Sequence, residues 1–163
     1  MDERLLMAAP RLRRLVALGL RRPLGSALRR TLVTRILQVG IAANNRGDYE
    51  AMSSSFHPEV ELHIPPGERT GPDMEPVYRG RDGYIRALRA WKESFGEDRW
   101  ELREIFDSGR SRFGSRGEHV ARGLGSGAEV RLQEFWVLEL EDGLLRRQWL
   151  ATDQDAMLRL LGQ

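Results

Sequence analysis

A few side chains in this sequence could move protons inside a folded domain. Glu134 stands in the run Glu134-Phe135-Trp136-Val137-Leu138, a carboxylate among aromatic and aliphatic neighbours. Desolvation disfavours its charged form unless a cation such as Arg147 pairs with it. The same residue therefore fits a general acid or base and a structural ion pair. His63 stands in the alternating segment Val60-Glu61-Leu62-His63-Ile64. An imidazole there can relay protons, or it can hydrogen-bond the backbone of the proline-rich stretch that follows. His119, beside Glu118 in a polar segment, is expected to face solvent, and His57, before Pro58, to cap a helix end. Three scattered histidines with no paired spacing predict no metal site.

Composition narrows the chemistry further. The chain has no cysteine, so disulfides, thiolate ligands and a cysteine nucleophile are excluded. It carries no Walker motif, nucleophile elbow or EF-hand pattern. The Gly123-Leu124-Gly125-Ser126-Gly127 run is a turn between strands, since no helix follows it. No cofactor is expected. The net charge of +2 is unevenly spread. Residues 1–35 hold nine Arg against Asp2 and Glu3, a balance of +7, and the remainder stands at −5. An acidic folded part predicts no nucleic-acid partner.

The basic residues belong to an extension, 1–30, read as helical or disordered, ahead of a domain spanning 31–163. Leu5, Leu12, Leu15, Val16 and Leu20 can line one face of a basic helix, which suits an anionic membrane surface. The other readings are a loosely ordered tail, a helix packed on the domain, and an upstream start codon. The apolar stretch Leu15 to Leu20 is short for a secretory leader and is flanked by Arg. Nothing approaches the roughly 20 apolar residues that span a bilayer. A cytoplasmic location is expected.

The elements that must position the candidate residues follow from periodicity. Leu32, Val33, Ile36, Leu37 and Ile41 predict a helix capped by Thr31 and ended by Asn44-Asn45-Arg46-Gly47. Asp48 caps a short second helix, stopped by His57-Pro58, and residues 60–64 form a strand. Residues 65–80, rich in Pro and Gly, read as a loop. Asp82 caps a third helix with Tyr84, Leu88, Trp91 and Phe95 on one face, and Gly96 stops it. Four strands follow, at 100–106, 112–122, 128–140 and 144–152. The second is poor in apolar residues and is placed near an edge or mouth. Glu141-Asp142-Gly143 is a hairpin signal, and Asp153 starts a last short helix. Helices first and strands afterwards make an α+β fold, three helices on a curved, mainly antiparallel sheet.

Parity then lists the lining of a pocket. If Trp136 points inward, so do Leu132, Glu134 and Leu138, and on the last strand Leu145, Arg147, Trp149 and Ala151. Trp91 offers a further wall, with Tyr78 and Met74 as a lid. Consecutive apolar residues 135–138 imply that both sheet faces are covered. A homodimer through the sheet would cover the second face, or the extension would fold over it.

Several short runs together resemble a known group. They are Asn45-Arg46-Gly47-Asp48-Tyr49-Glu50-Ala51, Phe56-His57-Pro58-Glu59-Val60-Glu61 and Tyr78-Arg79-Gly80-Arg81-Asp82-Gly83, with Gly125-Ser126-Gly127, Glu141-Asp142-Gly143 and Asp153-Gln154-Asp155-Ala156. In order and spacing, over residues 31–162, the chain resembles the SnoaL-like branch of the nuclear-transport-factor-2-like superfamily. That resemblance implies a cone-shaped α+β barrel around an apolar pocket, commonly dimeric. Steroid-isomerase chemistry is not expected, because Gly40 and Trp136 fall where that pattern needs a Tyr and an Asp. The epoxide-hydrolase pattern lacks its Asp near Arg131. The cyclase pattern is met only by Asp153. The resulting expectation is a domain that binds an apolar small molecule, with cofactor-free acid–base catalysis of cyclase or isomerase type at His63 or Glu134. The alternative is a non-catalytic dimerisation or accessory module whose basic extension docks a partner or membrane surface.

Overall fold

The computed structural model describes residues 10–65, 74–93, 97–109, 111–122 and 127–162. Helix α1 (Pro10–Leu20) leads into α2 (Ala27–Arg46) and the short α3 (Tyr49–Ser53). Strands β1 (Phe56–His63) and β2 (Val77–Arg79) precede α4 (Gly80–Glu93). Strands β3 (Glu97–Asp107), β4 (Arg112–Arg122), β5 (Glu129–Glu141) and β6 (Leu144–Ala151) then run to α5 (Gln154–Leu161). The fold is α+β, as expected.

Local chemistry sets most of these boundaries. Gly47, at φ 68°, ends α2 in a left-handed cap. The Asp48 side chain accepts from the Ala51 N–H at 3.1 Å, and that of Asp153 from Ala156 at 2.7 Å. These two expected Asp caps are therefore made, whereas the third, Asp82, lies inside the first turn of α4, which starts two residues earlier at Gly80. Asp142 and Gly143 have φ 49° and 78°, the doubly positive backbone of a tight hairpin turn. Helix α2 starts four residues before Thr31, at Ala27. His57 and Pro58 belong to β1 rather than to a helix end. The loop expected over 65–80 contains β2, which pairs with β1 through Leu62 and Tyr78. Residues 66–73 of that loop, the helix stop at 94–96 and most of the 123–127 turn lie outside the described residues.

The sheet order is β2-β1-β6-β5-β4-β3, antiparallel throughout except for β1 and β6. Strand β4 is second from the edge, next to β3, near an edge as expected from its sparse apolar content, and it is paired on both sides. Its small residues are there because neighbours come close. A Cβ on Gly114 would lie 2.9 Å from Met157 Sδ of α5. The inner face packs against α2, α3 and α4 through residues such as Val33, Leu37, Met52, Phe56 and Leu62. On the outer face Phe135, Val137 and Ala151 are covered by Met157 and Leu161 of α5. The cover that the 135–138 run requires thus comes from the chain's own last helix.

Parity along β6 differs from the expectation for a definite reason. Glu139 pairs with Arg147, but Leu140 pairs with Leu145. One extra residue, Arg146, is accommodated as a bulge. A bulge reverses which face later residues take. Leu145 faces inward, and past the bulge it is Gln148 and Leu150 that line the interior. Arg147 and Trp149 go outward, and so does Ala151.

Candidate functional site

Between α2, α3, α4 and the inner sheet face lies a cavity of about 150 Å3. A smaller one of about 70 Å3 shares its walls Asn44, Leu62, Leu88, Trp100 and Trp136, so the two form one cleft. The larger part is apolar, with Ile36, Leu37, Met52 and Leu138 among its lining. Few polar groups interrupt it. Ser115 Oγ is buried in its wall with no hydrogen-bond partner among the described residues. Tyr84 donates to Gln148 Oε1 at 2.5 Å. Burial pushes the Tyr84 phenol above its usual range, which keeps the proton on it and the donor role fixed.

The smaller part ends in a cluster of ionisable groups and indoles. Glu134 Oε2 accepts from two indoles, Trp100 Nε1 at 2.7 Å and Trp136 Nε1 at 2.9 Å. Glu134 Oε1 lies 3.7 Å from His119 Nδ1. The other ring nitrogen, Nε2, is 3.2 Å from Asp98 Oδ2 and 3.3 Å from Trp91 Nε1. Protonated, Nε2 donates to Asp98; unprotonated, it accepts from Trp91. Either state of the ring therefore finds a partner in place. Lys92 Nζ stands 3.5 Å from Asp98 Oδ1. The hydrogen bond from His119 holds the Asp98 carboxyl below the ordinary carboxylate range, against the opposing push of burial and with help from the Lys92 charge. His119 is only 3 % exposed, and the side chains of Asp98 and Glu134 are 9 % and 8 % exposed.

Strand register assembles this cluster. Trp100 of β3 stands opposite His119 of β4, and Gly117 of β4 opposite Glu134 of β5. Directly opposed residues share a face, and diagonal neighbours remain within reach of long side chains. His119 and Glu134 are such a diagonal pair. Gly117 is required here. A Cβ at that position would fall 2.7 Å from the Trp100 ring and 2.6 Å from the Glu101 carbonyl. The end of α2 fixes Trp100 from the other side. Asn45 donates to the Trp100 carbonyl at 2.9 Å and accepts its N–H at 2.8 Å, pairing with β3 as a strand would.

Of the residues singled out by the sequence, Glu134, Trp136 and Trp91 line this cleft. Glu134 is held by indoles and faces His119; its expected partner Arg147 is elsewhere. Arg147 and Trp149 lie on the outer face, where Arg147 contacts Glu139 at 3.2 Å and Glu61 at 3.5 Å. His63 is outside as well, stacked on Trp149 at 5.4 Å and bonded to Glu61 at 3.0 Å. Leu62 and Ile64, its neighbours, take the inner face instead. Tyr78 is a core residue whose hydroxyl accepts from the Glu75 N–H at 3.0 Å. Met74 lines the smaller part of the cleft.

His119 corrects the sequence reading outright: expected in solvent, it is buried. A signal for it existed. Along β4 the charges fall at Arg112, Arg116, Glu118 and Arg122, all one parity, and His119 has the other. In β3 the same alternation separates Arg99, Glu101 and Arg103 from Asp98, Trp100 and Leu102. Among the described residues no group of three His, Asp or Glu is placed to hold a metal ion. No described helix is long and apolar enough to cross a membrane.

Solved structures with this fold are numerous. TerC, co-crystallised with polyporic acid, superposes with a TM-score of 0.63 at 22% identity over 80% of this chain and 98% of its own. An NTF2-like protein of unknown function from Burkholderia pseudomallei gives 0.63 at 20% identity, over 80% and 97%. RV0760c from Mycobacterium tuberculosis, in complex with estradiol-17beta-hemisuccinate, gives 0.60 at 13% identity, over 74% and 92%. At such identities the likeness is one of fold, the NTF2-like cone. Among curated proteins none matches. The model of the SnoaL-like domain matches residues 39–148, from the middle of α2 to the strand that carries Gln148, and the chain belongs to the SnoaL-like family.

Proposed function

We propose that the cleft binds an apolar small molecule and that His119, between Asp98 and Glu134, exchanges a proton with it. The observation that carries this reading is a buried imidazole flanked by two carboxylates, at 3.2 and 3.7 Å, at the end of an apolar cavity. Buried ionisable groups that converge on a pocket fit the physical profile of acid–base machinery. Asp98 orients the ring, Glu134 faces the second nitrogen, and the Ser115 hydroxyl is a polar handle along the apolar wall. The bound ligands of TerC and RV0760c, polyporic acid and estradiol-17beta-hemisuccinate, favour a small organic molecule here too. The chemistry that fits is proton transfer at a carbon next to a carbonyl, the step that cyclases and isomerases share.

The test separates binding from chemistry. Binding of 2-naphthol is followed by quenching of tryptophan emission, since Trp91, Trp100 and Trp136 line the cleft. Proton exchange of 2-tetralone is followed by NMR in deuterated buffer. Exchange above the buffer rate, lost in His119→Asn with 2-naphthol binding retained, supports the proposal. Exchange at the buffer rate in the parent protein sinks the catalytic part.

A second reading rests on Glu134. Both indole donors are spent on one of its oxygens, an arrangement that rigidifies a wall as well as it tunes a base. On that reading the domain is a non-catalytic binding, dimerisation or accessory module. Binding of 2-naphthol without any exchange would favour it.

A further inference from the structure

We propose that the outer face of α1, with the corner joining it to α2, docks on an anionic lipid bilayer. One side of α1 is committed to the domain. Val16 packs against the core and Leu20 is 7 % exposed. Gly19 comes so near α2 that a Cβ there would collide with the Leu32 side chain. Arg29 locks the corner: it is wholly buried, bonds the Leu20 carbonyl, and forms a two-pronged pair with Asp107 at 2.7 Å on each prong. The helix therefore has a defined outer side.

That side is apolar and basic together. Leu15 and Leu18, three residues apart and so neighbours on the helix surface, are 62 % and 58 % exposed. Leu28 in the first turn of α2 is 51 % exposed. Arg14, Arg21 and Arg22 are exposed around them. Residues 4–47 hold ten Arg and no Asp or Glu, and the buried Arg29 is neutralised by Asp107. The rest of the chain is acidic, so an anionic surface attracts this face and repels the others.

The pairing of features selects the partner. A nucleic acid would neutralise the arginines and leave the leucines in water, and an apolar groove would do the reverse. An anionic bilayer takes both, leucines at the acyl boundary and guanidinium groups among the headgroups. Helix α1 has 11 residues, about 16 Å of length, so it lies in the interface and does not cross it.

Co-sedimentation with vesicles tests this on the full chain. Phosphatidylcholine vesicles with a quarter phosphatidylserine should pull the protein down at about 0.1 M salt, and binding should fall about tenfold at high salt or on pure phosphatidylcholine. Leu15→Gln/Leu18→Gln/Leu28→Gln should weaken it about tenfold with an unchanged circular dichroism spectrum, because these side chains are exposed. Arg14→Gln/Arg21→Gln/Arg22→Gln should do the same through charge. The proposal fails if the anionic vesicles leave the protein in solution, or if the leucine variant binds as well as the parent. It also fails if those leucines instead support self-association, or if duplex DNA binds this face more tightly than the vesicles do.

Discussion

The two faces of the sheet carry nearly the same set of groups and use them differently. Inside, His119 meets Asp98 at 3.2 Å, lies beside Trp91 at a ring separation of 5.3 Å, and faces Glu134. Outside, His63 meets Glu61 at 3.0 Å and stacks on Trp149 at 5.4 Å, with Arg147, Glu139 and Arg112 around them. His119 is 3 % exposed and His63 29 %. The outer ions are neutralised by arginines and by water, which weakens each pair. The inner ones have one lysine, three indoles and little water, so their mutual positions govern their energies. Composition of a cluster does not make it a site; exclusion of solvent and an adjoining cavity do.

This contrast can be broken by substitution, and the largest effect should be chemical. His119→Asn is expected to reduce 2-tetralone exchange by about 10²–10⁴, the usual worth of a general acid or base. His63→Asn should leave it within about a factor of two. Equal losses from both would abolish the distinction drawn between the faces.

Stability should separate them next. Glu134→Ala strands two part-buried indole N–H groups and should cost about 2–4 kcal/mol in urea unfolding. Glu61→Ala, at a partly exposed pair, should cost less than about 1 kcal/mol. Gly117→Ala should fall between the two, at about 1–3 kcal/mol, since the Trp100 ring must move off β4. The near-ultraviolet circular dichroism of the tryptophans should change with it, and an unchanged spectrum would show that the ring does not depend on Gly117.

The response to acid and salt sharpens the comparison at its finest scale. Asp98 and Glu61 are both held below their usual values of 3.8 and 4.5, each first by its histidine. A depressed carboxyl stabilises the fold above its unfolded value and loses that contribution as pH falls through the folded one. The stability gap between the parent and Asp98→Asn should therefore be full at neutral pH and close in acid. It should survive high salt. The smaller gap for Glu61→Gln should close in the same acid range and largely vanish with salt, because its pair is partly exposed. A salt-sensitive Asp98 gap would mean that water reaches the inner cluster.

Much of the fold was legible because local chemistry set it. The Asp48 and Asp153 caps, the Asp142-Gly143 hairpin and the strand at 112–122 were all readable from short-range signals. The site was legible only in part. Glu134, Trp136 and Trp91 follow from the apolar run in β5 and the stripe in α4. Arg147 and Trp149 were misplaced because the β6 bulge at Arg146 comes from pairing with a distant strand, and nothing in Leu144 to Ala151 announces it. His119 was misplaced because β4 looks polar by composition, although its charges keep to one parity.

By itself the sequence determined the α+β class, the order of the main helices and strands apart from β2, and the uneven spread of charge between a basic leading stretch and an acidic remainder. Those properties depend on periodicity, capping and net charge, which act over a few residues or simply add up. The tertiary structure alone decided which histidine is buried, which cation Glu134 does not meet, and which helix covers the far face of β5. Each depends on strand register. A register is the outcome of many distant contacts, and a shift of one residue turns every later side chain to the opposite face.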